Sequence, residues 1–241
     1  DRGQRGSGMF RGFAVKNFRK QAAENMSSES AQKGILIVIS GFSGAGKGTL
    51  MKKLLQTYDN YALSISMTTR QPRAGEQDGV EYFFTDKEQF EKKIEENGLI
   101  EYASYCGNYY GTPKAYVEEQ LKAGKDVILE IEIQGALKVK EKFPEALLLF
   151  VTPPSAAELE RRLVGRGTEE PEVIRKRLVR ASEESEGIEA YDYIVVNDDL
   201  DVCVRELHGL VEAARKAPVR REAFIKEIRE ELKGFAKGAQ E

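Results

Sequence analysis

The stretch Gly41-Phe42-Ser43-Gly44-Ala45-Gly46-Lys47-Gly48-Thr49 interleaves glycines with a single lysine, directly after the apolar run Ile35 to Ile39 and directly before the helical stretch Leu50 to Leu55. Glycines let successive backbone N–H groups turn inward around an anion without Cβ clashes. The N-terminus of the following helix adds partial positive charge. Lys47 at this spacing reaches the β- and γ-phosphates of a nucleotide and can follow charge as it migrates. The strand–loop–helix context is what such a phosphate cradle requires, so Gly41 to Thr49 is predicted to bind the phosphates of a nucleotide. The pattern G-x-x-x-x-G-K-[ST] departs at its last place, where Gly48 stands and Thr49 follows one residue late.

A second set of residues has anion chemistry too. Arg70 and Arg73 lie three apart, with Tyr82 and Tyr110 further on. Guanidinium forks match phosphate oxygens, and tyrosine hydroxyls donate to them. Taken alone, such an arginine pair is more often a solvated salt-bridge site. In the same way Arg161, Arg162 and Arg166, with Arg175, Lys176 and Arg177, could be surface charge on helices, and Tyr109-Tyr110 could be hairpin packing. His208 is the only histidine, expected on a helix surface, so no histidine-centred relay is available. Cys106 and Cys203 lie far apart without CxxC spacing, which points to a reducing, cytoplasmic compartment rather than a disulfide scaffold or a zinc site.

The elements that must position these groups emerge from hydrophobic patterning. With 241 residues, 41% hydrophobic and 32% charged, the chain can bury one α/β core with inserted pieces. A net charge of -3 argues against a general nucleic-acid surface, so any anion site must be local. No apolar run is long enough for a membrane span. The runs Ile35 to Ile39, Val127 to Ile133, Leu147 to Val151 and Ile194 to Val196 have strand length and alternate with helical stretches, and Ala62 to Ser66 alternates as a further strand. This predicts an α/β fold with a parallel five-stranded sheet covered by helices on both faces. Between Thr68 and Lys125 the texture changes to an α+β insertion. Tyr82-Phe83-Phe84 reads as an aromatic strand, and Thr85-Asp86-Lys87-Glu88 as a capping box opening a helix that ends near Gly98. Leu99 to Tyr105 reads as a strand, Gly107-Asn108 as a turn, and Thr112-Pro113 as an N-cap followed by proline at the first helical position. Gly165 to Pro171 is a short irregular segment between arginine-bearing helices. After Pro218, Phe224, Ile225, Ile228, Leu232 and Phe235 fit one face of a helix packed on the domain or on a dimer partner. Residues 1–33 read as an extension, basic over its first 25 positions, that fits a tag, a transit peptide or a disordered piece, with Met26-Ser27-Ser28 as a candidate native start.

The segment Ser66-Met67-Thr68-Thr69-Arg70-Gln71-Pro72-Arg73-Ala74-Gly75-Glu76, then Gly79-Val80-Glu81-Tyr82, Ile100-Glu101-Tyr102 and Gly107-Asn108-Tyr109-Tyr110-Gly111-Thr112, resembles in this order the GMP-binding segment of guanylate kinases. The resemblance runs from about Gly34 to Ala217 and includes Gln134-Gly135, Pro153-Pro154-Ser155, Gly165-Arg166-Gly167-Thr168 and Asn197-Asp198-Asp199. It implies a P-loop nucleoside monophosphate kinase with a core at 34–67 and 125–217, a GMP-binding insertion at 68–124, a lid at about 155–180, and a helical tail at 218–241. It implies that Arg70, Arg73, Tyr82 and Tyr110 grip the GMP phosphate, while Ser66, Glu101, Thr112 and Glu132 face guanine. Lys47, Arg162, Arg166 and Arg177 would stabilise the transferred group, and Asn197 would lie near adenine. The nucleotide on Gly41 to Thr49 would be ATP, and Mg²⁺ would arrive with it, with Thr49 and Glu130 as metal contacts through water.

Phe42 stands where the family usually has proline, and Glu132 where aspartate is usual. The resemblance therefore implies phosphoryl transfer from Mg·ATP to GMP and dGMP, with ATP and GMP as partners and neither nucleic acid nor membrane. Two alternatives stand beside it. One is a monophosphate kinase for another base, against which the Arg70 to Thr112 segment argues. The other is a non-catalytic guanylate-kinase-like binding module, against which the intact loop and lid arginines argue.

Overall fold

The computed structural model describes residues 33–105, 107–165 and 170–238. In chain order, β1 (Leu36–Gly41) leads through the glycine-rich loop into α1 (Lys47–Thr57), followed by β2 (Tyr61–Leu63). The insertion comprises β3 (Met67–Thr68), β4 (Phe83–Phe84), α2 (Lys87–Glu95), β5 (Leu99–Tyr105), β6 (Asn108–Pro113) and α3 (Lys114–Lys122). The chain then returns through β7 (Asp126–Glu130), α4 (Ile133–Lys142), β8 (Leu147–Thr152), α5 (Ala156–Gly165), α6 (Pro171–Ser185), β9 (Tyr193–Val196), α7 (Leu200–Arg215) and α8 (Glu222–Gly238). The core sheet has five strands in the order β2-β7-β1-β8-β9. All of its pairs are parallel, with Leu36 opposite Val127 and Ile37 opposite Leu147. A separate sheet, β4-β3-β6-β5, joins β6 to both neighbours antiparallel and β3 to β4 parallel. This is the P-loop α/β fold with an inserted α+β piece.

The period-2 alternation of β1 sorts the core into two layers. Ile35, Ile37 and Ile39 pack with Leu50 and Leu54 of α1 and with Val204, Leu207 and Val211 of α7. Leu36 and Val38 point the other way, onto Val117 and Leu121 of α3 and Ala136 and Val139 of α4. A third, smaller cluster joins Leu159 and Leu163 of α5 to Ala181 of α6. Phe42 packs against all three clusters and meets Phe150 edge-on, with ring centroids 5.0 Å apart.

Several local expectations shift. The run Val127 to Ile133 is strand only through Glu130. Glu132 is extended, with φ -75° and ψ 163°, and caps α4, so Ile133 is helical. The strand expected over Ala62 to Ser66 ends at Leu63, because after Ser64 N–H bonds the Ile128 carbonyl at 2.8 Å the chain leaves the sheet. The cap of α2 sits one residue later than Thr85: Asp86 accepts from the Gln89 N–H at 2.8 Å, its short acidic side chain reaching the third amide. The hairpin turn lies before Asn108, which already pairs with Tyr105, and Gly107 supplies the left-handed φ of 77°. Pro113 itself occupies the cap of α3, and the Thr112 hydroxyl is spent on Glu101. His208 is half-buried rather than on the surface: it stacks on Tyr58 at 3.7 Å, and its Nδ1 is 2.7 Å from the Tyr61 hydroxyl. In α8, Phe224, Ile228, Leu232 and Phe235 are 56%, 39%, 60% and 78% exposed, so described residues do not cover the apolar stripe. Residues 1–32, Cys106, 166–169 and 239–241 lie outside the described residues, and with them Arg166 and nearly all of the N-terminal extension.

Candidate active site

The core strands deliver their loops to one edge of the sheet, where α/β folds bind ligands outside the strand C-termini. The phosphate loop follows β1, Glu130 ends β7, and Asn197 follows β9. Gly46 caps α1 in the left-handed region at φ 88°, and a Cβ there would lie 2.6 Å from the Asn197 amide nitrogen. Gly44, at φ 98°, would bring its Cβ within 2.8 Å of the Leu163 side chain. Both positions therefore demand glycine. Gly48 is different, with nothing within 4 Å of a Cβ. Ala45 is buried and Ser43 exposed. Lys47 donates to the carbonyls of Gly41 at 2.8 Å and Phe42 at 3.2 Å, folding its ammonium over its own loop. Asn197, 6% exposed, donates to the Ala45 carbonyl at 2.9 Å and so braces the loop from behind. Thr49 in the first turn of α1 and Glu130 are both exposed.

Of the three arginines expected to close over ATP, Arg162 reaches the glycine-rich loop. It donates to the Asn197 carbonyl at 2.9 Å and to the Ala45 carbonyl at 3.4 Å, and pairs with Glu158 at 2.6 Å. Hydrogen bonds from Arg161 and Arg162 together hold the Glu158 carboxyl at a pKa of about 2. Arg177 lies on α6, half-buried. Arg166 falls outside the described residues.

Of the residues expected to hold the acceptor, all but Glu132 lie on or beside the insertion sheet. Arg70 follows β3, with its guanidinium carbon 5.3 Å from the centre of the Tyr82 ring and 5.9 Å from that of Phe84. Tyr82 in turn meets Tyr110 edge-on at 6.1 Å. Arg73 is exposed on the loop beyond. A cavity of 160 Å³ gathers Ser64, Ser66, Tyr82, Thr112, Glu130 and Ile131. The Ser64 hydroxyl is buried with no partner among the described residues. Glu101 on β5 is only 7% exposed and accepts from the Thr112 hydroxyl at 2.7 Å. Burial raises its pKa, against the opposing hydrogen bond from Thr112 and the charges of Lys138 and Lys142. Glu132, at the cap of α4, is 75% exposed and pairs with Arg180 of α6 at 2.6 Å. A larger cavity of 410 Å³, between Gly34, Ile100, Val117, Phe143, Arg215 and Arg220, lies at the opposite end of β1 and contains none of the predicted residues. The smaller cavity is the one that holds the convergent polar groups.

Sequence reasoning passed over three residues here. Glu76 binds Arg70, Glu158 binds Arg162, and Ser64 opens on the acceptor cavity. The spacing of Glu158 four before Arg162 on a helix was the available signal for the second.

A family model described as guanylate kinase matches residues 33–214. The guanylate kinase of Desulfitobacterium hafniense (strain Y51) is 52% identical over 192 residues, covering 80% of this chain and 96% of its own. That of Halalkalibacterium halodurans is 54% identical over 182 residues, covering 76% and 89%. Among solved structures, the crystal structure of guanylate kinase from Anaplasma phagocytophilum is similar with a TM-score of 0.62 and 33% identity, covering 78% of this chain and 90% of that one.

Proposed function

The chain belongs to the guanylate kinase family, a family of phosphotransferases, and on that premise we propose that it moves the γ-phosphoryl group of Mg·ATP onto GMP and dGMP. The observation that carries this reading is the buried Glu101 carboxylate, held by Thr112 beside an acceptor cavity separate from the phosphate loop. Guanine presents N1–H and the 2-amino group side by side, and a carboxylate accepts both. Adenine presents a lone pair at N1 and would leave that carboxylate unpaired.

On this reading residues 68–124 are the acceptor-binding insertion, about 155–180 the lid, 34–67 and 125–217 the core, 1–33 an extension and 218–241 a tail. Arg70, Arg73, Tyr82 and Tyr110 hold the acceptor phosphate, and Ser66, Glu101, Thr112 and Glu132 face the base. Near neutral pH the acceptor phosphate is largely deprotonated, so its oxygen attacks the γ-phosphorus without a general base. A new P–O bond forms as the bond to the β–γ bridging oxygen breaks, and ADP leaves. Catalysis is then positioning plus charge stabilisation. Lys47, the loop N–H groups, and Arg162, Arg166 and Arg177 spread the charge on the transferred group. Lys47 and Arg162 are bound to backbone carbonyls in the present conformation, so both turn toward the phosphates as ATP enters.

Among the described residues no three His, Cys, Asp or Glu side chains gather as a metal site. Gly48 also brings no hydroxyl. Glu130 and Thr49, both exposed, would hold Mg²⁺ through water, with the nucleotide supplying most of the ligands. When bound, the ion neutralises charge on the β- and γ-phosphate oxygens. No described helix is long and apolar enough to cross a membrane. A cytoplasmic setting belongs to the proposal, and Cys203, a buried free thiol, is in keeping with it.

The test is a coupled assay of ADP release with GMP, dGMP, AMP, UMP and CMP. We expect turnover with the two guanine nucleotides and at least about a hundredfold lower kcat/KM with the others. AMP turnover equal to that of GMP would overturn the substrate, and no turnover with any would point to a binding module.

A further inference from the structure

An arginine in an open anion site has many rotamers to lose when its ligand arrives. Arg70 has lost them already. Its Nη2 lies 2.9 and 3.0 Å from the two carboxylate oxygens of Glu76, and its Nη1 donates to the Gln71 carbonyl at 2.8 Å. The rings of Tyr82 and Phe84 flank the guanidinium. Glu76 also accepts the backbone N–H of Arg73 at 2.8 Å, and its own N–H donates to the Arg73 carbonyl at 3.1 Å. One carboxylate thus ties the side chain of the first arginine to the backbone of the second, across Gln71 and Pro72. The pair is shielded, with Arg70 15% and Glu76 18% exposed, unlike the solvated ion pairs on the helices.

We infer that Glu76 is a positioning residue for the acceptor phosphate: it fixes the Arg70 fork and the Arg70–Arg73 turn in a receiving geometry without itself touching the nucleotide. The inference rests on the reading that Arg70 and Arg73 bind that phosphate. Arg70 holds the Glu76 carboxyl below its ordinary pKa, so the brace stays ionised at neutral pH. A carboxylate beside a phosphate site also repels the incoming anion, and the two effects have opposite signs. Positioning outweighs repulsion if removing the carboxylate weakens GMP.

The experiment compares Glu76→Ala, Glu76→Gln, Arg70→Ala and the Arg70→Ala/Glu76→Ala double variant. Each is first checked for an intact fold by circular dichroism and thermal melting. Glu76→Ala should raise the GMP KM about tenfold or more, leave the ATP KM within about twofold, and leave the affinity for guanosine, which has no phosphate, unchanged. Glu76→Gln keeps the length and one acceptor and should recover part of the loss. The double variant should fall well short of additivity, since with Arg70 gone only the Arg73 turn is left for Glu76 to position. A GMP KM for Glu76→Ala at or below the wild-type value, or full additivity in the double variant, would overturn the inference. If Arg70→Ala itself left the GMP KM unchanged, the phosphate-site reading would fall instead.

Discussion

Replacing Glu101 with glutamine separates what the buried carboxylate does for the substrate from what it costs the fold. The side chains are the same size, and the amide oxygen can still accept from the Thr112 hydroxyl, now at 2.7 Å. What changes is the other terminal atom, which becomes a donor facing the donors of guanine. Losing hydrogen bonds to an ionised acceptor costs about 1.5–3 kcal/mol each. Allowing for incomplete replacement, a loss of about 3–4 kcal/mol in transition-state binding is expected, or roughly 10²–10³-fold in GMP kcat/KM. AMP, with an acceptor at N1, should lose nothing and can gain.

The unliganded protein should respond in the opposite direction. Burial raises the Glu101 pKa above its ordinary value of 4.5. As pH rises the unfolded chain therefore gives up this proton first, and the favourable contribution of the protonated form is lost through the folded-state titration. Glu101→Gln should melt at the same temperature as wild type below about pH 4 and above it at pH 8, the gap opening as pH rises. Kinetics on both nucleotides and melting curves at several pH values check both halves. An unchanged GMP/AMP ratio would remove Glu101 from the base site, and a lower melting temperature at pH 8 would refute the desolvation argument.

Lys47→Ala should lower kcat by roughly 10²–10⁴, the scale for a positioned charge stabiliser, and single-turnover kinetics with saturating ATP and GMP would reveal a smaller effect. Asp126, 1% exposed, accepts from the Ile35 N–H at 2.8 Å, from Asn60 at 3.0 Å and from Arg215 at 2.5 Å. Asp126→Ala leaves the Ile35 N–H without its partner and Arg215 with Glu212 alone, and should destabilise the protein by about 1–3 kcal/mol in urea denaturation, with GMP KM unchanged in the folded protein. Gly48→Ser meets no neighbour and supplies a hydroxyl one place after Lys47. It should raise the melting temperature by about 1–2 °C through helix propensity and lower the Mg²⁺ concentration for half-maximal rate, both read directly by melting and metal titration.

The core sheet was legible because its strands are buried on both faces and read as apolar runs. Their ends were less so. Ile131 and Ile133 are apolar like the strand before them, yet the chain has already turned at Glu132 to start a helix, a backbone change that composition does not reveal. Thr112-Pro113 misled for another reason. The threonine had a competing partner distant along the chain but brought close by the pairing of β5 with β6, and the charge-assisted bond to Glu101 won over the cap. The glycine-rich loop between β1 and α1 was legible because its residues are contiguous in the sequence. The contacts of Glu76 and Glu158 were not, since each pairs with an arginine, and an acid near a base in sequence is more often surface charge. The tail's apolar periodicity correctly marks a helix, but periodicity says nothing about what covers the stripe.

Phe42 offers a way to watch the molecule work. The chain has no tryptophan, so its ultraviolet emission comes from tyrosine and phenylalanine alone. One ring at the start of the phosphate loop touches both layers of the core and the α5–α6 cluster at once. An indole at that position would be a lone fluorophore whose surroundings include the loop, the sheet and the arginine-bearing helices. A shift of its emission on adding nucleotide would time rearrangements there without any external label.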